Sequence, residues 1–303
     1  MSSAMTHRLC PLCGRDQTRP VMQKGELRLV RCGHCSMIYA NPIAQELVTG
    51  AYYDQAGVPF YLSPAKVESD YSPVRFEREL KLFRSHCSKG EVLDVGCSTG
   101  AFLYQLKTRF PNDYVVTGTD VSGAPLDYAE SRGVPVIRGD FLAHDFGNQK
   151  FDVISFWAVM EHLSEPKRFL EKAVSILKPG GLCIILVPNM QSLAVRLLGA
   201  RYRYIFAPHV NYFTRATLQK FVEPHFTVID YRSMHFNPIV ILKDFRAKGT
   251  EVPDEERANL LKRTTAYKQK GMLKPVMWLY KATEKLLGAF SLTDNIVVVL
   301  RKK

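Results

Sequence analysis

No apolar run in this 303-residue chain approaches the ~20 residues that span a bilayer, and the start, Met-Ser-Ser-Ala-Met-Thr-His-Arg, has no hydrophobic signal core. These absences argue against a helical membrane protein and against secretion, and they predict a cytoplasmic one. Internal repeats and low-complexity tracts are missing too, which leaves out solenoids, propellers and disordered linkers. Cysteine is present but unsuited to a disulfide framework: four of the seven stand in two tight pairs, leaving Cys87, Cys97 and Cys183 as an odd remainder. A reducing compartment follows. With 46% hydrophobic residues, the chain can bury one sizeable core plus a small appended module. The basic excess belongs to the two ends. Counting Lys and Arg against Asp and Glu gives +4 for residues 1–40, +1 for 41–242 and +7 for 243–303, within a total of +12. Basic ends suit nucleic acid, an anionic membrane or a phosphorylated substrate, or else simply keep the protein soluble.

The two cysteine pairs are Cys10-Pro-Leu-Cys13 and Cys32-Gly-His-Cys35, separated by 18 residues, a spacing suited to a four-thiolate zinc ribbon. Gly14 and Gly33 let the backbone turn toward the sulfurs, and Leu27 through Val30 suit a short hairpin between the pairs. Four sulfur ligands close a tetrahedral site, so the expected metal is structural Zn2+. So small a ribbon needs metal binding to supply its folding free energy.

The densest signal lies at residues 92–100, Val-Leu-Asp-Val-Gly-Cys-Ser-Thr-Gly, where an apolar strand ends at Asp94 and a turn of small residues opens into the helical segment from Ala101. A second acid, Asp120, follows where the next strand should end. A dinucleotide fingerprint would place glycines at 96, 98 and 101, but Ser98 and Ala101 stand at two of these. The pattern therefore indicates a nucleoside cofactor without a pyrophosphate resting on the helix.

The stretch resembles motif I of the class I S-adenosylmethionine-dependent methyltransferases, with Ser98 in place of one glycine. Four further segments match in order: Thr117-Gly-Thr-Asp120-Val-Ser, Arg138-Gly-Asp140-Phe141, Phe151-Asp-Val-Ile-Ser-Phe-Trp157, and the turn and strand from Leu177 to Asn189. The resemblance implies an α/β fold: a seven-stranded, Rossmann-like class I methyltransferase sheet with a small N-terminal zinc ribbon and a helical insertion before the last strand. It also implies S-adenosylmethionine held by Asp94, Gly96, Cys97, Ser98 and Gly100 at the first turn. Asp120 and Val121 would hold the ribose end, with Asp140, Phe141 and Phe156 around the adenine. The implied domains are 1–42 for the ribbon, 43–235 for the cofactor-binding core, and 236–303 for a basic helical insertion plus final strand.

Other elements follow from local pattern. Phe76, Leu80 and Phe83 are spaced as on a helix over 75–86. Asn41–Pro73, rich in tyrosine and proline, is expected as a connector against the cofactor mouth. Thr214 should cap a helix from Arg215, and segments 226–231 and 295–300 should be the sixth and seventh strands, the last antiparallel. The basic stretch between them is helix-prone and broken at Pro253 and Pro275. Within it, Met277, Tyr280 and Leu287 fall on one helical flank and Lys281 and Lys285 on another, which suits either an anionic membrane surface or docking on the core.

A ribbon ahead of such a domain is similar to a bacterial group that acts largely on sugars. Its C-methylating members carry a Tyr-x-Glu-His sequence with a proposed histidine base, and a further C-terminal domain. Here the matching positions are Phe206, Ala207, Pro208 and His209, and the chain ends early, so O-methylation of a hydroxyl on a sugar, glycan or related small molecule is the expectation. The acceptor could be nucleotide- or lipid-linked. His209 and His162 are the candidate bases, because a neutral imidazole near pH 7 can take the hydroxyl proton. Ubiquinone-pathway O-methyltransferases carry Glu-x-x-Glu-His at the first of these places; Ala158 replaces the first glutamate, so no catalytic metal is expected. The rivals are an rRNA base methyltransferase and a zinc-ribbon adaptor. The first lacks its Asn/Asp-Pro-Pro-Tyr signature, since Phe156-Trp157-Ala-Val stands after the fourth strand, and a nucleic-acid partner is not expected. The second is opposed by the retained Asp94, Gly96, Gly100, Asp120 and Asp140.

Overall fold

Hydrophobic alternation shapes the centre of the molecule. In the computed structural model, which describes residues 4–55, 58–247, 253–269 and 274–303 (backbone alone for 267–269 and 274–277), the long strand Leu177–Pro188 is buried from Gly181 through Val187. Cys183, Ile185 and Val187 pack into one apolar cluster, and Leu182, Ile184 and Leu186 into another on the opposite face. A strand buried on both sides belongs at the middle of a sheet covered by helices.

Besides the short pair Met5–Thr6 and Ile43–Ala44, the strands of the two larger sheets in chain order are β1 (Thr18–Lys24), β2 (Leu27–Cys32), β3 (Ile38–Ala40), β4 (Gly90–Val95), β5 (Tyr114–Asp120), β6 (Val136–Arg138), β7 (Phe151–Trp157), β8 (Leu177–Pro188), β9 (Asn211–Tyr212), β10 (Phe226–Met234) and β11 (Asn295–Lys302). The expected seven-stranded sheet is present, in the order β10-β11-β8-β7-β4-β5-β6, with β11 antiparallel to both neighbours. Strand order reverses beside β4, so the carboxyl ends of β4 and β7 form the crevice where such sheets bind ligands.

The main helices are α1 (Glu77–His86), α2 (Ala101–Arg109), α3 (Gly123–Ser131), α4 (Pro166–Ile176), α5 (Arg215–Val222), α6 (Pro238–Arg246), α7 (Asp254–Gln269) and α8 (Lys274–Ala289). Thr214 caps α5 as its sequence suggested: its hydroxyl accepts from the Thr217 amide at 3.2 Å, and Thr217 returns the bond in a capping box. The connector is not irregular; it forms four short helices between Gln45 and Asp70. Pro253 lies just ahead of α7 and Pro275 in the first turn of α8, where a missing amide costs no helical bond.

The ribbon strands do not stand apart. The hairpin β1–β2 and strand β3 are joined by β9, which arrives from the far side of the chain and pairs Asn211 with Tyr39 and Tyr212 with Ile38. Their side chains build a third cluster in which Leu29, Ile38 and Ala40 meet Leu198, Tyr202 and Val210. Of the two readings of the Tyr280–Leu287 flank of α8, docking on the core is the one its contacts favour. Tyr280 donates its hydroxyl to the Phe236 carbonyl at 2.6 Å and Leu287 is half-buried, so this flank faces the body of the protein. Met277, predicted on the same flank, lies outside the described side chains. No described helix is long and apolar enough to cross a membrane.

Candidate cofactor and acceptor site

The turn after β4 is built by conformations that glycine adopts readily. Gly96 has φ +74° and Gly100 φ +71°, and a Cβ on Gly96 would stand 2.6 Å from Val159 Cγ2. Ser98, between them, also sits in the left-handed region at φ +50°. The amides of Gly96 and Cys97 both donate to the Thr119 carbonyl, at 2.7 and 3.1 Å, which ties the turn to β5. Cys97 is buried against Gly118, where a Cβ would come within 2.5 Å of its sulfur.

The acids predicted around this turn converge, each with a different environment. Asp94 is 3% exposed and accepts from the Ser155 hydroxyl at 2.7 Å; burial pushes its carboxyl up to about 7. Asp120 accepts from the Ser98 amide at 2.8 Å and the Ser122 amide at 3.0 Å, while burial raises its pKa. It therefore holds the turn as well as facing the crevice. Val121 beside it is exposed, and so is Asp140, whose carboxylate accepts from the Leu142 amide at 2.9 Å. Phe141 and Phe156 require correction. Both are buried, their rings 6.3 Å apart within the apolar cluster that includes Phe146 and Phe151, so their side chains are core and only backbone at these positions could reach a ligand. Strand alternation explains Phe156, because its neighbour Ser155 points to Asp94.

The connector fastens over this edge at three points. Tyr71 donates to the Thr99 carbonyl at 2.5 Å, Asp54 accepts from the Gly123 amide at 3.1 Å, and the Tyr53 hydroxyl lies 3.0 Å from His162 Nδ1.

His162 follows β7 and His209 precedes β9, yet their rings meet edge to face with centroids 4.7 Å apart. His162 Nδ1 is 2.9 Å from the Pro208 carbonyl and His209 Nδ1 is 3.0 Å from the Tyr204 carbonyl. A carbonyl only accepts, so each Nδ1 carries the proton and each Nε2 keeps its lone pair. Burial holds both imidazoles neutral. It lowers His162 to about 4, and His209 well below its ordinary value, with His162 and Arg257 adding to the effect. Arg257 reaches the site from α7, its guanidinium 4.9 Å from the Phe60 ring centre and 4.5 Å from that of Phe206.

Glu161, the second glutamate of the ubiquinone-type pattern and not among the expected site residues, completes the group. It is 1% exposed, neither carboxylate oxygen has a hydrogen-bond partner among the described residues, and burial pushes it up to about 8. Ligand atoms of Glu161, His162 and His209 all lie within 4.8 Å of one another. The three can share a proton or a cation between them. Ala158 does vacate the first glutamate position of the ubiquinone-type pattern, but His209 is brought in beside Glu161 and His162 by the tertiary fold.

Asn211 locks these loops together. Its amide donates to the carbonyls of Met160 at 2.8 Å and Leu163 at 2.7 Å, and the Glu161 carbonyl accepts from the amides of Val210 and Asn211. Arg8, from the ribbon, donates to Asn211 Oδ1 at 3.0 Å and to the Ser164 carbonyl at 2.8 Å. The ribbon thus supports the histidine pair. Its own Cys10, Cys13, Cys32 and Cys35 bring their sulfurs within 4.8 Å of one another, with Cys10–Cys35 at 3.4 Å and Cys13–Cys32 at 3.5 Å. Bonds of ~2.3 Å to a tetrahedral zinc would set sulfurs just under ~4 Å apart, so the cluster fits that ion.

Comparison with known proteins agrees with the geometry. A family model described as a methyltransferase domain matches residues 72–225. An uncharacterised protein of Methanocaldococcus jannaschii is 30% identical over 118 residues, 38% of this chain, which spans only 53% of that protein's length. The ubiquinone biosynthesis O-methyltransferase of Pasteurella multocida is 24% identical over 205 residues, covering 57% of this chain and 82% of that one. Among solved structures, a SAM-dependent methyltransferase of Thermotoga maritima, described as a possible histamine N-methyltransferase, superposes with a TM-score of 0.52 at 16% identity. That match covers 84% of this chain and 99% of the other, a likeness of fold.

Proposed function

This chain belongs to the methyltransferase-domain family and is an S-adenosylmethionine-dependent methyltransferase, and we propose that it methylates a hydroxyl oxygen on a sugar, glycan or related small molecule, with His209 as general base. The observation that carries this reading is the pair of neutral imidazoles at the carboxyl edge of the sheet, each with Nδ1–H tied to a carbonyl and Nε2 left to accept. S-adenosylmethionine, when bound, supplies a methyl on a sulfonium that needs no further activation. The protein's part is to align the acceptor oxygen and remove its proton as the charge is neutralised. Asp94, the Gly96–Gly100 turn, Asp120, Val121 and the 140–141 backbone are the groups that would hold the cofactor. His209 would take the acceptor proton, and the buried Glu161 beside it could pass its own proton on and so balance the imidazolium formed.

What supports oxygen as the acceptor atom is the likeness to O-methyltransferases of ubiquinone biosynthesis, together with the absence of glutamate before His209, where Pro208 stands. The sugar reading rests on the ribbon-plus-methyltransferase arrangement. The four ribbon sulfurs would hold structural zinc, and its role would be to fix β3, hence β9 and His209. The test is turnover with labelled cofactor on a panel of free, nucleotide-linked and lipid-linked sugars and phenols. His209→Ala should lower kcat by roughly 10²-fold with the affinity for S-adenosylhomocysteine unchanged. An equally active variant would remove His209 as the base.

A further inference from the structure

Two helices near the C-terminus are amphipathic the wrong way round for a surface helix of a water-soluble protein. On α8, Trp278, Leu279 and Leu286 are 61–72% exposed, and Phe290 just beyond it is 69% exposed. The one acid of α8, Glu284, is 3% exposed, turned inward to the Arg78 guanidinium and the His235 amide. Helix α6 repeats the arrangement. Ile239, Leu242 and Phe245 are exposed, while its one acid, Asp244, is buried in an ion pair with Arg203 at 2.6 Å. The exposed charges that remain on the described side chains of the two helices are cationic: Lys281 and Lys285 on α8 and Arg246 on α6. An ordinary surface helix buries its apolar stripe and exposes its acids as well as its bases.

The outward faces are held in place. Gly288 approaches β10 so closely that a Cβ there would stand 2.9 Å from the Ser233 carbonyl, and Tyr280 is bonded to the Phe236 carbonyl just before α6. These contacts fix which side of α8 meets the protein. Among the described residues, half of the exposed large apolar ones, seven of fourteen, fall on these two helices and Phe290, and five of the seven lie in the 243–303 segment that carries the +7 charge excess. Such a concentration marks an interaction surface.

We propose that the outward faces of α8 and of α6, whose start is tied to α8 by the Tyr280–Phe236 bond, form a docking surface for an anionic phospholipid membrane. An aromatic and aliphatic stripe headed by a tryptophan and flanked by lysines matches the interface of a bilayer, where apolar groups enter the acyl boundary and cations meet acidic headgroups. Charge decides against a second copy of the chain. Self-association would bring Lys281 and Lys285 of both copies into a drying interface whose only acids, Glu284 and Asp244, are already buried. A nucleic-acid partner would use the lysines but give Leu279, Leu286, Leu242 and Ile239 nothing to pack on. The proposal goes beyond the methyl-transfer reading and does not depend on the acceptor.

The experiment is flotation of the full chain with vesicles of phosphatidylglycerol and phosphatidylcholine, against vesicles of phosphatidylcholine alone. Binding is expected on the anionic vesicles at low salt, weakened by 0.5 M salt. It should fall at least tenfold in Leu286→Ser and in the Lys281→Glu/Lys285→Glu pair, with S-adenosylhomocysteine affinity unchanged as evidence of folding. Tryptophan emission should shift to the blue on anionic vesicles, and Trp278→Ser should abolish that shift. The assignment is overturned by no association at low salt, or by equal binding to neutral vesicles. It is equally overturned by a lipid-independent dimer that Leu286→Ser dissociates, or by retention on RNA without retention on vesicles.

Discussion

Replacing Asp120 should damage the protein twice, in cofactor affinity and in stability. Its carboxylate accepts from the Ser98 and Ser122 amides at 2.8 and 3.0 Å, so Asp120→Ala strands two backbone donors, and Ser122 is buried. Hydrogen bonds to a charged group contribute ~1.5–3 kcal/mol each. Burial opposes the charge and raises the Asp120 pKa, which brings the net loss toward the lower end, roughly 2–4 kcal/mol for the pair. At ~2–4 °C per kcal/mol for a chain of this size, the melting temperature of the cofactor-free protein should drop by about 4–16 °C. If Asp120 accepts from the ribose hydroxyls as proposed, its loss should add ~1.5–3 kcal/mol to the binding deficit, about 10- to 150-fold in Kd. Asp120→Asn separates the two effects. Its amide oxygen can still accept from one backbone amide, so it should melt closer to the wild type while binding at least tenfold more weakly. Scanning calorimetry reads the first effect and titration calorimetry with S-adenosylhomocysteine the second. An Asp120→Ala protein that melts with the wild type would refute the structural role, and an unchanged Kd would remove Asp120 from the cofactor site.

Three further outcomes follow from other parts of the molecule. Anaerobically prepared protein should contain one equivalent of zinc, and a chelator should lower kcat while sparing cofactor affinity, because β3 supports β9 and His209 but not the 94–100 turn; metal analysis and titration calorimetry check both halves. Asp94, raised by burial to about 7 from an ordinary 3.8, holds its proton longer folded than unfolded, so its contribution is full below pH ~4 and is lost as pH rises through 7. Asp94→Asn should therefore gain stability relative to wild type between pH 4 and 8, by ~2–4 kcal/mol in urea titrations; a pH-independent difference would contradict the buried-carboxyl reasoning. Gly118→Ala would drive a methyl to within 2.5 Å of the Cys97 sulfur and should cost ~1–3 kcal/mol, and Cys97→Ala in the same chain should recover most of it if that contact is the cause.

Much of the architecture was legible because it is local. The strand-turn-helix at residues 90–109 declares itself by an apolar run, small turn residues and a helical period, all within one short window. The Thr214 cap, helix α1 and the break at Pro253 are equally local, set by hydroxyl, spacing and ring chemistry. Ser98 illustrates the limit. The sequence shows a glycine missing from the usual pattern, but only the backbone shows that the serine occupies a left-handed conformation and gives its amide to Asp120.

Side-chain destinations were less accessible, since one residue type serves core and pocket alike. Phe141 and Phe156 stand where the motif puts the adenine, and the alternation of β7 sends Phe156 into the core. On α8 the apolar residues form more than one stripe, and sequence alone could not say which would meet β10. The close approach at Gly288 and the Tyr280–Phe236 bond decided it.

The amino-acid sequence by itself determined the sheet, the glycine turn after β4 and the two cysteine pairs, because each is encoded by neighbours in the chain. Only the tertiary structure decided the acceptor side. Glu161 and His162 meet His209 across 46 intervening residues and Arg8 reaches Asn211 across 202, and such meetings depend on how β9 joins a ribbon built from the other end of the chain. Pairing over that distance follows from the whole fold's burial of surface, a quantity that no short window of residues contains.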